Sequence, residues 1–448
     1  MIRRMTRPHK MNNMVDWYKT GTPNERRTFW ACFSGWALDT FDLQVFNFVM
    51  PSLMLALTLS KSDAGSIATV ALLSSAIGGW IGGALSDRYG RVRMLMVTII
   101  WFTGFGILAG FAQTYGQLIF FRALQGIGFG GEWAIGAALI AEVIAPKNRG
   151  KAMGLVQSGY SIGLALASVV TMLIVAYLPA DTAWRVAFWF GVIPGAAVLW
   201  IARGVAEPAI FTQMRNSTAK SAPPRIGAIF RPGVLRTTVM AGILLCGLQS
   251  ASYSLVSWMP TLLIQSRGMA PHDVIIATII VSVGAFAGFI ACAYACDRFG
   301  RRACLIAFCI AGMILTGIYT MMPSGRLVFL ALGFPIGFTV NGMFAAVGPY
   351  LSEQFSTDVR AAGMGFTYNI GKLVGAFSVM LVGVVANHAE LAVAIEIFCA
   401  AGFLVAIIAL ACMPETRGRE LDKPLVDPQA NSAAQPQASS GQPSQTPG

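Results

Sequence analysis

The stretch GGWIGGALSDRYGRVR, residues 78–93, returns later in the chain as AGFIACAYACDRFGRR, residues 287–302. Asp87, Arg88, Gly90 and Arg91 coincide with Asp297, Arg298, Gly300 and Arg301. A second echo follows each copy. AEVIAPKNRGKAMGLVQSGYSIG (141–163) corresponds to SEQFSTDVRAAGMGFTYNIGKLVG (352–375), aligning Glu142, Arg149 and Gly154 with Glu353, Arg360 and Gly365. A self-similarity of this period marks a duplicated unit. In each copy an apolar run ends in a short basic turn.

The apolar runs set the class. Of 448 residues, 55% are hydrophobic and only 12% charged, about half the charge of a soluble domain. Abundant glycine (48) and phenylalanine (28) suit helices packed closely in lipid. The hydrophobic pattern predicts an all-α membrane protein with twelve transmembrane helices of about 20 residues. These lie near 28–54, 65–86, 94–114, 116–142, 152–177, 184–203, 236–265, 272–296, 303–322, 326–352, 359–386 and 390–413. A polar, basic linker at 204–235 separates an N-terminal six-helix bundle (28–203) from a C-terminal one (236–413). Tails 1–27 and 414–448 flank them, and the second, rich in Gln, Ser and Pro, is expected to be disordered. Six plus six in one orientation is a parallel repeat about an axis along the membrane normal.

A net charge of +12 does not point to nucleic acid, because its placement is lopsided. Seven Lys/Arg in the N-terminal tail and nineteen at the even-numbered junctions and C-terminal tail face four on the other side. The positive-inside rule therefore predicts cytoplasmic N and C termini and a multi-pass protein of the cytoplasmic (inner) membrane. The eight cysteines sit in or beside the spans and show no metal-ligand spacing. Cys292 and Cys296 share a helix face and read as packing residues. No cofactor is implied.

The loop at Gly83, Asp87, Arg88, Gly90 and Arg91 resembles the signature G-x-x-x-D-R-x-G-R-[RK] of the major facilitator superfamily, with Val92 departing from its last position. The resemblance covers about residues 25–420. It narrows through Arg122, Gln125, Gly126, Gly128, Gly130, Gly131 and Glu132, an RxxQGxGxGGE run similar to that of proton-coupled organic-acid symporters. The GWALDTFD stretch from Gly35 adds to this, as does Tyr350-Leu-Ser-Glu353 with Tyr368-Asn369-Ile-Gly371-Lys372. The aromatic-acid:H⁺ and sialate or monocarboxylate:H⁺ branches fit equally. The resemblance implies a conformational latch formed by Gly83, Asp87, Arg88, Gly90, Arg91, Glu142, Arg149 and their counterparts Asp297, Arg298, Arg301, Glu353 and Arg360.

Ionised groups inside a span are costly and therefore informative. Asp39 and Asp42, three residues apart, share a helical face. A rise of 1.5 Å per residue puts them about 16 and 21 Å deep, and Arg122 about 9 Å from the outer surface of a ~30 Å core. Asp42 and Arg122 are thus level, and a pair between them is expected with Asp39 one turn below. At least one aspartate is expected to carry a coupled proton; the competing role is a static ion pair. Glu132, ten residues along from Arg122, is assigned to coupling or gating, with a structural pair as its alternative.

Lys372, about 20 Å into its span, lies too deep to snorkel and is expected to face a cavity and bind a substrate carboxylate. A buried partner such as Glu396 is the alternative. Asn369, Tyr368, Asn341, Tyr253 and Gln249 are expected beside it, Trp258 being either a lining or an interface aromatic. A break is expected in the seventh span over the polar, aromatic stretch Gln249 to Pro260, where Pro260 invites a kink. Gly79/Gly83 and Gly126/Gly130/Gly131 read as close helix contacts, not as phosphate cradles. No catalytic constellation is present. The expectation is a monomeric secondary transporter, not an enzyme, that imports a small organic acid with protons by alternating access among membrane lipids. A sugar or other metabolite:H⁺ symporter, a drug exporter and a non-transporting sensor are the rivals.

Overall fold

The computed structural model describes residues 18–19, 21–144, 149–207, 226–322, 325–356 and 359–416. Most of both tails and residues 208–225 of the linker lie outside it, as do the side chains of Asp87, Arg149 and Asp297. Among the described residues every regular element is helical. Among the described residues, nine helical stretches are long and apolar enough to cross a membrane.

Helix α1 (Pro23–Ala56) begins at a capping box in which Thr22 and Glu25 exchange hydrogen bonds of 2.8 and 3.2 Å. Ser60 and Asp63 do the same for α2 (Lys61–Tyr89) at 3.0 and 3.1 Å. There follow α3 (Arg91–Gly110), α4 (Tyr115–Val143), α5 (Arg149–Gln157), α6 (Gly159–Tyr177), α7 (Ala180–Phe190) and α8 (Val192–Ala202). The later part holds α9 (Pro232–Thr261), α10 (Pro271–Phe299), α11 (Arg301–Met321), α12 (Arg326–Ile336), α13 (Phe344–Gln354), α14 (Arg360–Ala386) and α15 (Leu391–Cys412). Helix α1 falls outside the nine because its charged and amide residues lower its hydropathy.

The predicted break in the seventh span narrows to its proline end: helix α9 runs unbroken through Gln249 and Trp258, and the irregularity follows Pro260, where the kink was expected, as a π-helical turn at Leu262–Ser266. A ring nitrogen without a proton disturbs hydrogen bonding locally, while polar side chains leave the backbone intact. A second π-helical turn, Gly337–Asn341, lies between α12 and α13.

Glycine sets the closest contacts. A methyl group on Gly126 would strike the Ala71 carbonyl, and one on Gly130 the Ser75 carbonyl, so α4 and α2 touch backbone to backbone. The predicted Gly79/Gly83 pair divides: a side-chain carbon added at Gly79 would lie 3.4 Å from the Gly130 carbonyl, whereas Gly83 faces open space. The first half meets the second along α2–α14 and α6–α10. There Lys61 Nζ donates to the Ala386 carbonyl (3.1 Å) and Thr69 Oγ1 to the Ala376 carbonyl (2.7 Å).

Candidate functional site

Where the halves meet, a cavity of ≈ 90 Å³ opens between α1, α4, α6, α9, α10, α13 and α14. Helix α1 contributes Trp36, Thr40, Gln44 and Asn47, spaced at three to four residues and so sharing one face. Asn47 Nδ2 donates to Gln44 Oε1 at 2.9 Å. Opposite stand Tyr253, Asn341, Tyr368 and Lys372, four residues of the predicted substrate set. Asn341 reaches the cavity from the end of its π-helical turn, a local irregularity of the kind often found at functional sites.

Lys372 is 7% exposed, and its Nζ lies 5.2 Å from the centre of the Phe129 ring. No carboxylate lies within ion-pair distance among the described residues. Glu396, the alternative partner, instead accepts from Thr320 Oγ1 at 3.1 Å. A cation over an aromatic face at a cavity wall is able to receive an anion without first breaking a tight pair.

Two predicted lining residues face elsewhere. Gln249 is buried behind the wall and donates from Nε2 to the Tyr368 carbonyl (3.0 Å), tying α9 to α14. Asn369 donates to the Gly365 carbonyl (2.9 Å) and points toward Gly79 of α2. Successive residues of a helix project about 100° apart, so Tyr368 and Lys372 share the cavity face while Asn369 turns away from it. Trp258 is also buried, donating from Nε1 to the Val379 carbonyl (3.0 Å).

The acids of α1 divide between two settings. Asp42 shares a small neighbouring cavity with Arg122, as their common depth predicted. They form no ion pair within 4.0 Å among the described residues. Arg122 Nη1 instead donates to Gln125 Oε1 (2.6 Å), and its guanidinium lies 4.7 Å from the Phe46 ring centre and 5.8 Å from that of Phe188. Its Nε and Nη2 have no hydrogen-bond partner among the described residues. An arginine seated on rings beside an acid, with donors to spare, is able to change partners.

Asp39, fully buried, faces Glu132 of α4 and, further off, Lys372. Neither Asp39 oxygen has a donor among the described residues, nor does Glu132 Oε2. The two carboxyl groups therefore satisfy each other only when a proton lies between them. Gly35 lies against Glu132, whose carboxyl occupies the space a side chain there would need. Depth arithmetic missed this contact because it ranks residues along the membrane normal and says nothing of which way each helix is turned.

The basic turns form two matching clusters. Gly90 (φ +111°) and Gly300 (φ +104°) occupy a region that favours glycine. Arg91 donates to Glu142 (2.9 Å) and to Ser86 Oγ (2.8 Å). Arg301 reaches Glu353 at 3.2 Å, and Glu353 also accepts from Thr416 Oγ1 at 2.6 Å. The carboxylates that hold each turn were not among the predicted latch residues. Glu207 accepts from the Arg91 and Arg93 backbone N–H groups (2.9 and 3.0 Å), and Glu415 from those of Arg301 and Arg302 (2.8 and 3.0 Å). An acid at a helix N-terminus satisfies orphan donors and the dipole together.

Other latch residues are placed differently. Arg88 and Arg298 lie over the adjacent rings of Tyr89 and Phe299, 5.4 and 5.6 Å from their centres. Arg360 Nε donates to the Ser352 carbonyl (2.9 Å). Sequence reading also left out Trp36, Gln44, Asn47 and Tyr160, which line the cavity. The signal was available for α1: two amides within an apolar span, on the face of Trp36 and Thr40.

A family profile described as Major Facilitator Superfamily matches residues 32–365 and 263–439. The chain is 48% identical over 425 residues to the probable 4-methylmuconolactone transporter of Cupriavidus pinatubonensis, covering 95% of this chain and 98% of the relative. It is 27% identical to the cis,cis-muconate transport protein of Acinetobacter baylyi, covering 87% and 94%. Among solved structures, the xylose transporter XylE from E. coli in a partially occluded inward open conformation superposes with a TM-score of 0.73. That match covers 89% of this chain and 100% of the other at 21% identity, a likeness of fold. With a duplicated helical chain, a cavity between its halves and these relatives, the protein belongs to the major facilitator superfamily and is a multi-pass membrane transporter rather than an enzyme.

Proposed function

We propose that the protein is a proton-coupled symporter that imports a small organic acid anion across the cytoplasmic membrane. One observation carries the reading: Asp39 faces the carboxyl of Glu132 and, further off, Lys372 on the cavity wall, with Asp42 of the same helix face also acting on its charge. Proton and anion sites are thereby linked. With Asp39 ionised, its charge competes for Lys372; with a proton held between Asp39 and Glu132, Lys372 is released to bind a carboxylate. Anion and proton then bind together, and the loaded site carries less net charge through the midplane.

The cavity supports an acid of modest size. Phe129, Tyr160, Tyr253 and Tyr368 offer ring faces, while Gln44, Asn47 and Asn341 offer amides to a second oxygen. The names of the relatives, a methylmuconolactone transporter and a muconate transport protein, are those of proteins for small organic acids. Asp42 and Arg122 form a second acid–base couple in the same bundle, where Arg122 changes partners during alternating access. The two turn clusters hold the cytoplasmic side, with both termini there, and the six-helix halves rock about the cavity.

The test is uptake into proteoliposomes with an imposed pH gradient, using methylmuconolactone, muconate and benzoate. Accumulation that follows the gradient and acidifies the lumen is expected for at least one of them. Uptake of all three without proton movement, or no uptake of any, overturns the reading.

A further inference from the structure

Cys292 and Cys296 stand one turn apart on α10, and Cys304 reaches them from α11 across the Gly300 turn. The Cys292 sulfur lies 3.9 Å from that of Cys296 and 3.9 Å from that of Cys304, and all three sulfurs lie within 4.8 Å of one another. All three thiols are buried and free. Thiolates bound to one ion through bonds of about 2.3 Å lie about 3.8–4.0 Å apart. Two edges of the triangle already have that length.

Packing at this turn does not require cysteine. The corresponding first-half positions hold Gly82, Ser86 and Met94, around a turn of the same shape. There Ser86 accepts from Arg91; in the second half the serine is replaced by Cys296, and Arg301 pairs with Glu353. The set has three sulfurs and, among the described residues, no fourth His, Cys, Asp or Glu ligand within the cluster. A closed tetrahedral zinc site needs four ligands, whereas soft sulfur-only sites of lower coordination select monovalent copper.

We propose that Cys292, Cys296 and Cys304 form a three-thiolate site for a soft monovalent cation of the Cu⁺ type. On binding, each S–H releases its proton to solvent as an S–Cu bond forms, with no change of oxidation state. The ion joins α10 to α11 beside the Arg301–Glu353 pair.

The experiment uses the reduced, full-length chain in detergent, with Cu⁺ presented anaerobically by a chromophoric chelator. It involves no transport, so its outcome is separate from that of the symport reading. One Cu⁺ per chain is expected to leave the chelator. Cys292→Ser, Cys296→Ser and Cys304→Ser should each weaken binding at least tenfold, while Cys309→Ser, a buried control on α11, leaves it unchanged. Size exclusion reports whether each variant is folded. X-ray absorption of the unmodified copper-loaded chain should show three sulfur neighbours, which keeps the test valid if a variant misfolds. No bound copper, equal affinity in all four variants, or a nitrogen and oxygen shell overturns the proposal.

Discussion

Asp39 of α1 and Glu132 of α4 turn their carboxyl groups toward each other inside the bundle, and Gly35, one turn before Asp39, leaves the space that the Glu132 carboxyl fills. Both residues are almost inaccessible to solvent, at 0% and 2%. In the proposed symport, the proton occupancy of so enclosed an acid pair sets the charge felt at Lys372.

Asp39→Asn and Glu132→Gln each remove one partner while keeping size and hydrogen-bonding groups. Gradient-driven accumulation should fall to equilibration in both, while exchange of substrate across the membrane persists. Uptake with and without a pH gradient, beside counterflow, measures the difference. Retained accumulation in both variants removes the proton assignment.

Gly35→Ala tests the geometry without deleting a titratable group. The added methyl would meet the end of a flexible glutamate, so the chain should fold and Glu132 should be pushed from Asp39. Coupling is expected to fall while yield and thermal stability stay close to those of the parent. Unchanged coupling would show that the contact is incidental.

Lys372→Ala removes the cavity cation. Hydrogen bonds to charged groups contribute about 1.5–3 kcal/mol, so acid affinity should weaken roughly 10- to 150-fold. Lys372→Arg should recover part of it. Calorimetry on purified protein checks both, with a neutral substrate analogue as the control.

Glu207→Gln and Glu415→Gln remove the charge at the N-termini of α3 and α11. The loss per site should be about 1 kcal/mol, from weaker capping and a lost dipole interaction. Thermal unfolding measures it. Similar losses at both sites are expected, since each acid accepts from at least two backbone N–H groups of its turn.

Gly130→Val would drive a branched side chain into the Ser75 backbone, where neither helix is able to yield locally. A loss of several kcal/mol is expected, in the upper range for overpacking. Folded yield should collapse. Gly83→Ala, at a glycine facing open space, should be tolerated, and comparing their monodisperse fractions decides the point.

The duplicated turn, the apolar runs and the placement of Lys and Arg were legible because each is a local pattern or a sum over many residues. The second glycine-set contact shows the limit. Gly126 and Gly130 were recognisable as contact residues, but Gly83, at the same spacing from Gly79, faces open space because α2 turns it away from α4. The turn acids Glu207 and Glu415 escaped sequence reading, because their hydrogen bonds to α3 and α11 require the chain to return from more than a hundred residues away.

Sequence alone determined the membrane class, the twofold repeat and the selection of Asp39, Asp42, Arg122, Glu132 and Lys372 as charged residues set within apolar spans. Lipid penalises every buried charge, so position within an apolar run is enough to select them. Tertiary structure decided their partners. Depth put Asp42 level with Arg122, yet helix rotation seated Arg122 on Phe46 and Gln125 and turned Asp39 to Glu132. Rotation about a helix axis is fixed by packing against several neighbours at once, through contacts such as Gly126 on Ala71 and Gly35 on Glu132. Those constraints come from segments far apart in the chain, and only the folded bundle brings them together.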